Sequence, residues 1–298
     1  MVARLIHRYG VADAVFPGAG SGALDAVRAG GTALFGLTSA PGEHDHGLRA
    51  VAARALRDAA HLEAVGPPEG FRHRPGHPDG QTLDLGDLQP GASAAGLLAA
   101  ARAIAGRGAR PVLLGGTPAD ALACLEGALQ GGEHAAAQAV FISPTLAWAA
   151  ACARLQTLAP ALAPGLLALG THDFVPVADL ALWQDAGGQV LSATEFICGG
   201  PQALERALDA GPGLPVFVVL DLSCIDMGHA AGATGDNVGG LEPREFLDAV
   251  VILGARRRCL GAALVNLAPE RDPRGHSERL AARALLTLLG MRVQGGPG

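Results

Sequence analysis

The sequence predicts an α/β domain: a mainly parallel sheet covered by helices on both faces, a three-layer α/β/α arrangement. Two observations carry this. Short apolar runs alternate along the chain with Ala/Leu/Arg segments of helical period, as repeated strand–helix units do. The 298 residues, 49% of them hydrophobic, can bury a full core and show neither an internal repeat nor a domain-scale shift in composition, so one domain over residues 1–298 is expected.

The strands are expected at Thr32–Leu37, Pro111–Leu114, Ala139–Ile142, Leu166–Leu169, Val190–Ser192, Val216–Leu220 and Gly261–Leu267. Between them, helices are expected at Gly47–Leu62, Ala92–Ala105, Ala119–Leu129, Leu146–Leu155, Pro201–Ala210, Pro243–Ala255 and Ser277–Leu289. The second strand runs into Gly115-Gly116-Thr117-Pro118-Ala119-Asp120, which reads as a helix start. Thr is the N-cap, Pro takes the first helical position and an acid sits in the first turn. Residues 66–90 hold too much Gly and Pro for regular structure until the brief TLDLGDL.

Composition removes several functions. Lys and Arg total 22, and every one is Arg. The chain therefore has no Schiff-base lysine, no Walker-A lysine and no kinase strand lysine. The net charge of −6, with arginines scattered, leaves no basic face for nucleic acid. No apolar run reaches the ~20 residues of a membrane span, and the N-terminus has no signal-peptide h-region. The five cysteines are widely spaced and form no CxxC, as expected of reduced core thiols in a cytoplasmic protein.

In open α/β sheets the ligand sits beyond the carboxyl ends of the strands, so the residues just after each strand matter most. These are Gly115-Gly116-Thr117, Ser143-Pro144-Thr145, Gly170-Thr171-His172-Asp173, the segment Asp221 to Asp226, and Asn266. His172, Asp173, Asp221 and Asp226 are the strong proton-transfer or metal-binding groups among them. His172 and Asp173 are adjacent on an extended segment, so at most one faces the cleft without a bend. An acid ending a buried strand, such as Asp221, is either a ligand or a hydrogen-bond acceptor for the amides of the next loop. Glu43-His44-Asp45-His46 and the pair His73/His77 supply metal-ligand types, or form solvated polar loops; His229 and His276 fall on loops. Gly115-Gly116-Thr117-Pro118 could hold an anion or simply cap its helix. GAGSG at Gly18–Gly22 lacks dinucleotide spacing, and no G-x-S-x-G elbow is present.

FVVLDLSCIDMGHAAGATGDNVGGLEPREFLDAV, from Phe217 to Val250, resembles the ureohydrolase superfamily of arginases, agmatinases and formiminoglutamases. The family reads S-F-D-x-D-x-x-D-P, then a Gly-rich loop, then a helix with Glu in its first turn. Asp221, Ser223 and Asp226 take the three Asp places, and Gly239-Gly240-Leu241 with Glu245 close the match. PGEHDHGLRAVAARAL, LDLGDL, PVLLGG, VFISPTLAWA, LALGTHD and ALVNLAPERD resemble further family segments in the same order.

The resemblance implies an eight-stranded arginase-like sheet and, in active members, a binuclear manganese site that activates hydroxide. It also implies which positions would hold the metal. Pro118 stands for the His of G-G-D-H-S, beside Thr117 in place of the motif's Asp, which is not one of the six ligands; Ser143, Thr145 and Ala147 stand for the three ligands of D-A-H-x-D; Asp221 is kept and Ser223 replaces the second Asp. Asn266 stands where arginases have a substrate-binding Glu. Five of six ligand positions are thus substituted, and no cofactor is expected. The resemblance points to a non-catalytic binding, regulatory or structural homologue, with Thr117, Ser143, Thr145, Asp173 and Asn266 as ligand-binding candidates. It would form a homo-oligomer or join an active paralogue, and a small molecule could fill the vacated pocket. The alternative is a hydrolase of linear amidine C–N bonds with a rebuilt manganese site, using His172, Asp173 and Asp226 as catalytic candidates.

Overall fold

A computed structural model describes residues 6–8, 24, 27–37, 82–88, 93–146, 158, 161, 165–209, 213–235 and 238–289. The strands are β1 (Ile6–Arg8), β2 (Thr32–Gly36), β3 (Thr82–Asp87), β4 (Arg110–Leu114), β5 (Gln138–Ile142), β6 (Leu166–Thr171), β7 (Gly188–Ser192), β8 (Val216–Asp221) and β9 (Cys259–Val265). The helices are α1 (Ala94–Ala105), α2 (Pro118–Gly131), α3 (Val177–Asp185), α4 (Ala193–Asp209), α5 (Pro243–Arg256) and α6 (His276–Leu289).

Among the described residues, the strands form one nine-stranded sheet in the order β1-β3-β2-β4-β9-β8-β5-β6-β7, with parallel pairing between all neighbours. Strands β2, β4, β5, β8 and β9 are buried at every position, as strands covered on both faces must be. Successive residues on them feed two separate cores. Leu34, Val112, Val140, Val218 and Leu264 pack with Phe196 of α4, Phe246 of α5 and Leu285 of α6. Their neighbours Phe35, Leu113, Phe141, Phe217 and Val265 pack with Leu97 of α1, Leu122 of α2 and Trp183 of α3. That period-2 division is the three-layer architecture expressed in side chains.

The central strands agree with the sequence expectation to within a few residues. Four elements differ. Strand β1 was not expected: at three residues, it is too short to read as an apolar run. The segment TLDLGDL is a strand, β3, because it pairs with both β1 and β2 in the interior of the sheet. Helix α3 was not expected: only Trp183 on it is buried, so it carries no apolar stripe to read. Helix α4 begins eight residues before Pro201. It is broken at Gly200 (φ 59°, ψ −161°), so Pro201 opens only its second segment. The expected helices 47–62 and most of 146–155 lie outside the described residues.

Helices α1 and α2 cross closely. A Cβ added at Gly127 or Gly131 would overlap backbone atoms of Leu98 and Arg102, so glycine at these positions sets the contact distance. From the border at β1 the chain works inward to β4, crosses to β5 and continues outward to β7, and it returns through β8 and β9, which fill the gap between β4 and β5. Their carboxyl ends therefore gather at the switch point of the sheet, where a crevice opens.

Candidate functional site

At that switch point the strand ends enclose a cavity of about 380 Å³. Thr117, Pro118 and Ala119 contribute from the start of α2, Ser143, Pro144 and Thr145 from the end of β5, and Asp173 from beyond β6. Asp221 and Ser223 lie at the end of β8, Asn266 follows β9, and Thr234 and Gly235 come from the loop before α5. Among the described residues, no Arg or His lines it.

Asp221 is the organising group. Its side chain, on a residue only 2% exposed, accepts three hydrogen bonds from three segments of the chain. Ser143 Oγ donates to Oδ2 at 3.0 Å, Asn266 Nδ2 to Oδ1 at 2.8 Å, and the Ser223 N–H to Oδ1 at 2.9 Å. Burial pushes the carboxyl above the usual carboxylate range, opposed by the bonds from Asn266, Ser223 and Ser143. The buried thiol of Cys224, one residue beyond Ser223, is also pushed up, by burial and then by the Asp221 charge.

Asn266 fixes the other side of the cavity. It is the one non-glycine residue with positive φ (63°) among the described residues, a conformation Asn tolerates better than most. Its N–H donates to Gly116 O at 3.1 Å, and its carbonyl accepts from Thr234 N–H at 3.1 Å. With its side chain on Asp221, Asn266 joins the ends of β4 and β8 to the Thr234 loop. Thr234 Oγ1 in turn lies 3.4 Å from Ser223 Oγ.

The start of α2 is closed by its own sequence. Asp120 Oδ2 accepts both the N–H and the hydroxyl of Thr117, each at 2.8 Å. The expected cap is therefore built, and it satisfies donors that an anion would otherwise use.

Of the candidate residues, Thr117, Pro118, Ser143, Thr145, Asp173, Asp221, Ser223 and Asn266 share the cavity. His172 and Asp173 diverge. Both backbone N–H groups donate to Pro144 O, but only Asp173 lines the cavity. His172 places Nδ1 2.8 Å from Gly170 O, while its Nε2 is buried without a hydrogen bond. Asp226 does not line the cavity. Its carboxylate accepts the N–H groups of Gly228 and Gly239, each at 2.8 Å, which hold its pKa below the usual range with smaller help from His229 and His172. It is the clasp of the loop that carries Thr234. Ala147 and the polar loops of His44, His46, His73 and His77 lie outside the described residues. Thr234 and Gly235 were not singled out from the sequence; their position inside a Gly-rich loop after a strand-end acid was the available signal. Among the described residues, no group of three or more His, Cys, Asp or Glu side chains is gathered as a metal site.

Residues 156–290 match the model of the Arginase family. Over that segment, a little under half of the chain, the sequence is similar to arginase-family proteins. A Bacillus cereus agmatinase is 33% identical over 84 residues, which are 28% of this chain and 28% of that protein. Such curated ureohydrolases are thus matched over less than half of their own length. A solved structure of a hypothetical agmatinase from Burkholderia thailandensis superposes with a TM-score of 0.71 and 20% identity, over 89% of this chain and 87% of that one. The T. brucei arginase-like protein, solved as a triple mutant bound with Mn2+, superposes with a TM-score of 0.67 and 17% identity over 90% and 93%. The ureohydrolase fold accounts for the sheet and for the position of the cavity at its centre.

Proposed function

We propose that this ureohydrolase homologue works without a binuclear manganese centre, as a non-catalytic binding or regulatory subunit that self-associates or joins an active paralogue. The bonding of Asp221 carries the reading. A binuclear metal site needs several anionic or imidazole ligands, whereas Asp221 is the one carboxylate at the expected positions, and its two oxygens are engaged by Ser143, Asn266 and Ser223. The neighbouring groups at the expected ligand positions are the hydroxyls of Ser143, Thr145 and Ser223 and the ring of Pro118. Divalent transition ions need several nitrogen, thiolate or carboxylate ligands, and this donor set does not fit them.

The T. brucei relative supports the comparison. Its Mn2+-bound form carries two Ser-to-Asp changes and one Arg-to-His change, and the first serine and the arginine are two residues apart. Ser143 and Thr145 have the same spacing here.

Metal analysis of the purified chain after incubation with excess manganese tests the reading. The expected result is no stoichiometric manganese; tight stoichiometric binding overturns it. The second reading, amidine C–N hydrolysis through a remodelled site, draws on two carboxylates, Asp173 and Asp221, sharing one cavity. It requires release of urea, ammonia or formamide from arginine, agmatine, guanidinobutyrate or formiminoglutamate, abolished by Asp221→Ala. We expect no turnover across that panel with added Mn, Ni, Zn or Co.

A further inference from the structure

The exposed apolar surface is unevenly placed. Of the seven large hydrophobic side chains exposed among the described residues, four stand just beyond the carboxyl ends of strands. Phe174 (97% exposed) and Val177 (83%) follow β6, and Met227 (43%) and Val238 (75%) lie between β8 and α5. None of the four lines the cavity.

The two segments abut. A Cβ added at Gly170, near the end of β6, would press on Cys224 Sγ and on the Leu241 side chain. Asp226 accepts the N–H groups of Gly228 and Gly239, each at 2.8 Å, so Met227 and Val238, the chain neighbours of those glycines, are drawn to one carboxylate. His172, two residues before Phe174, lies close enough for its charge to act on that carboxylate. The four side chains therefore share one face of the molecule. Exposed hydrophobics scattered singly need no explanation, but a grouped patch marks a contact surface.

We propose that a second copy of this chain docks on this patch across a two-fold axis. The area argues for it. The exposed parts of the four residues amount to roughly 400–500 Å². A stable contact buries about 800 Å² per partner, a little over half of it apolar. The patch thus supplies the apolar core of such an interface unaided. Its polar surroundings also suit an isologous contact, in which a surface meets its own image. The carboxylates of Asp173 and Asp226 are interspersed with the imidazoles of His172 and His229, and Asp226 is already engaged by backbone N–H groups. Asp173 and Gly235 line the cavity one and three residues from Phe174 and Val238, so docking also covers that side of its mouth. This surface deepens the self-association proposed above and rests on it.

Sedimentation velocity of the full chain over a range of concentration tests it, with Phe174→Glu and Val238→Glu beside the wild type. Both side chains are exposed, so both variants should fold, and thermal unfolding checks this. Each substitution acts in both copies and should weaken the contact about a hundredfold or more, halving the assembly mass where the wild type stays intact. Amide exchange over residues 172–177 and 227–235 should slow as wild-type concentration rises and stay fast in the variants. A wild-type assembly whose mass neither substitution changes overturns this surface and leaves self-association standing. A wild type that is monomeric at every concentration, or until an active ureohydrolase is added, overturns the second copy as occupant together with the self-association beneath it.

Discussion

Asp221→Ala and Asp221→Asn should behave very differently, and the contrast can be worked from the geometry. Alanine strands the Ser143 hydroxyl, the Asn266 amide and the Ser223 N–H. Asn266 is half-buried and can turn to water; the two donors that remain buried cost about 1–3 kcal/mol each, or about 2–6 kcal/mol together. With unfolding entropy of about 2.1 cal/mol/K per residue, a chain of 298 residues should lose about 3–10 °C in Tm. Asparagine keeps one oxygen for Asn266 and Ser223 and offers an NH2 that a rotated Ser143 hydroxyl can accept. Its cost should stay below about 1 kcal/mol.

The pH dependence has a definite sign. Burial raises the folded pKa of Asp221 above the ordinary value of 3.8, so the folded chain holds the proton more tightly than the unfolded one. The stabilisation is complete below the unfolded value and is lost as pH rises through the folded pKa. Asp221→Asn has no such loss, so its stability relative to the wild type should improve as pH climbs through that window. Urea denaturation of the three proteins across mildly acidic to neutral pH reads this directly. Asp221→Asn proving as damaging as Asp221→Ala, with its deficit growing toward higher pH, would refute the view of this carboxylate as a hydrogen-bond hub.

Three further outcomes are expected. Gly127→Val should destabilise the α1–α2 contact by about 1–3 kcal/mol through overpacking, measured by the shift in urea midpoint at unchanged m-value. Asn266→Ala should be less stable than Asn266→Gly by about 1 kcal/mol, because both lose the Asp221 bond but only alanine resists a φ of 63°. Asp226→Ala should speed limited proteolysis within residues 226–240, since Gly228 and Gly239 lose their common acceptor. In the wild type, whose Asp226 pKa is held below 3.8, the same clasp is present above that value and should fail as pH falls through the folded pKa.

The central sheet was readable because strands such as Val216–Asp221 and Cys259–Val265 are apolar without interruption and end in polar turns. Elements whose identity depends on distant partners were not. Thr82–Asp87 alternates apolar with acidic and small residues, and only pairing on two sides makes it a strand. Val177–Asp185 exposes nearly everything but Trp183. In the site, position after a strand was enough to gather Ser143, Asp221 and Asn266, because parallel strands bring their ends together. It could not say which of His172 and Asp173 turns inward; the bonds of both N–H groups to Pro144 O and the turn at Gly170 (φ 83°) decide that. Nor could it separate the two roles an acid can take. Asp226 looked like chemistry and holds a loop, because the amides it binds lie up to thirteen residues away.

Trp183 has a consequence at the far border of the sheet. Its indole N–H donates to Gln189 O on β7 at 3.0 Å, and its ring meets Phe141 edge-on with centroids 5.6 Å apart. A Cβ at Gly188 would collide with that ring, so the glycine is what lets the indole lie against the strand. β7 contains no charged residue or proline to discourage a visiting strand. Instead, an aromatic plug from the preceding helix takes one of its carbonyls. Loss of that plug would free a carbonyl on a strand that, among the described residues, pairs on one side alone, so Trp183 both fills the core and caps the border of the sheet.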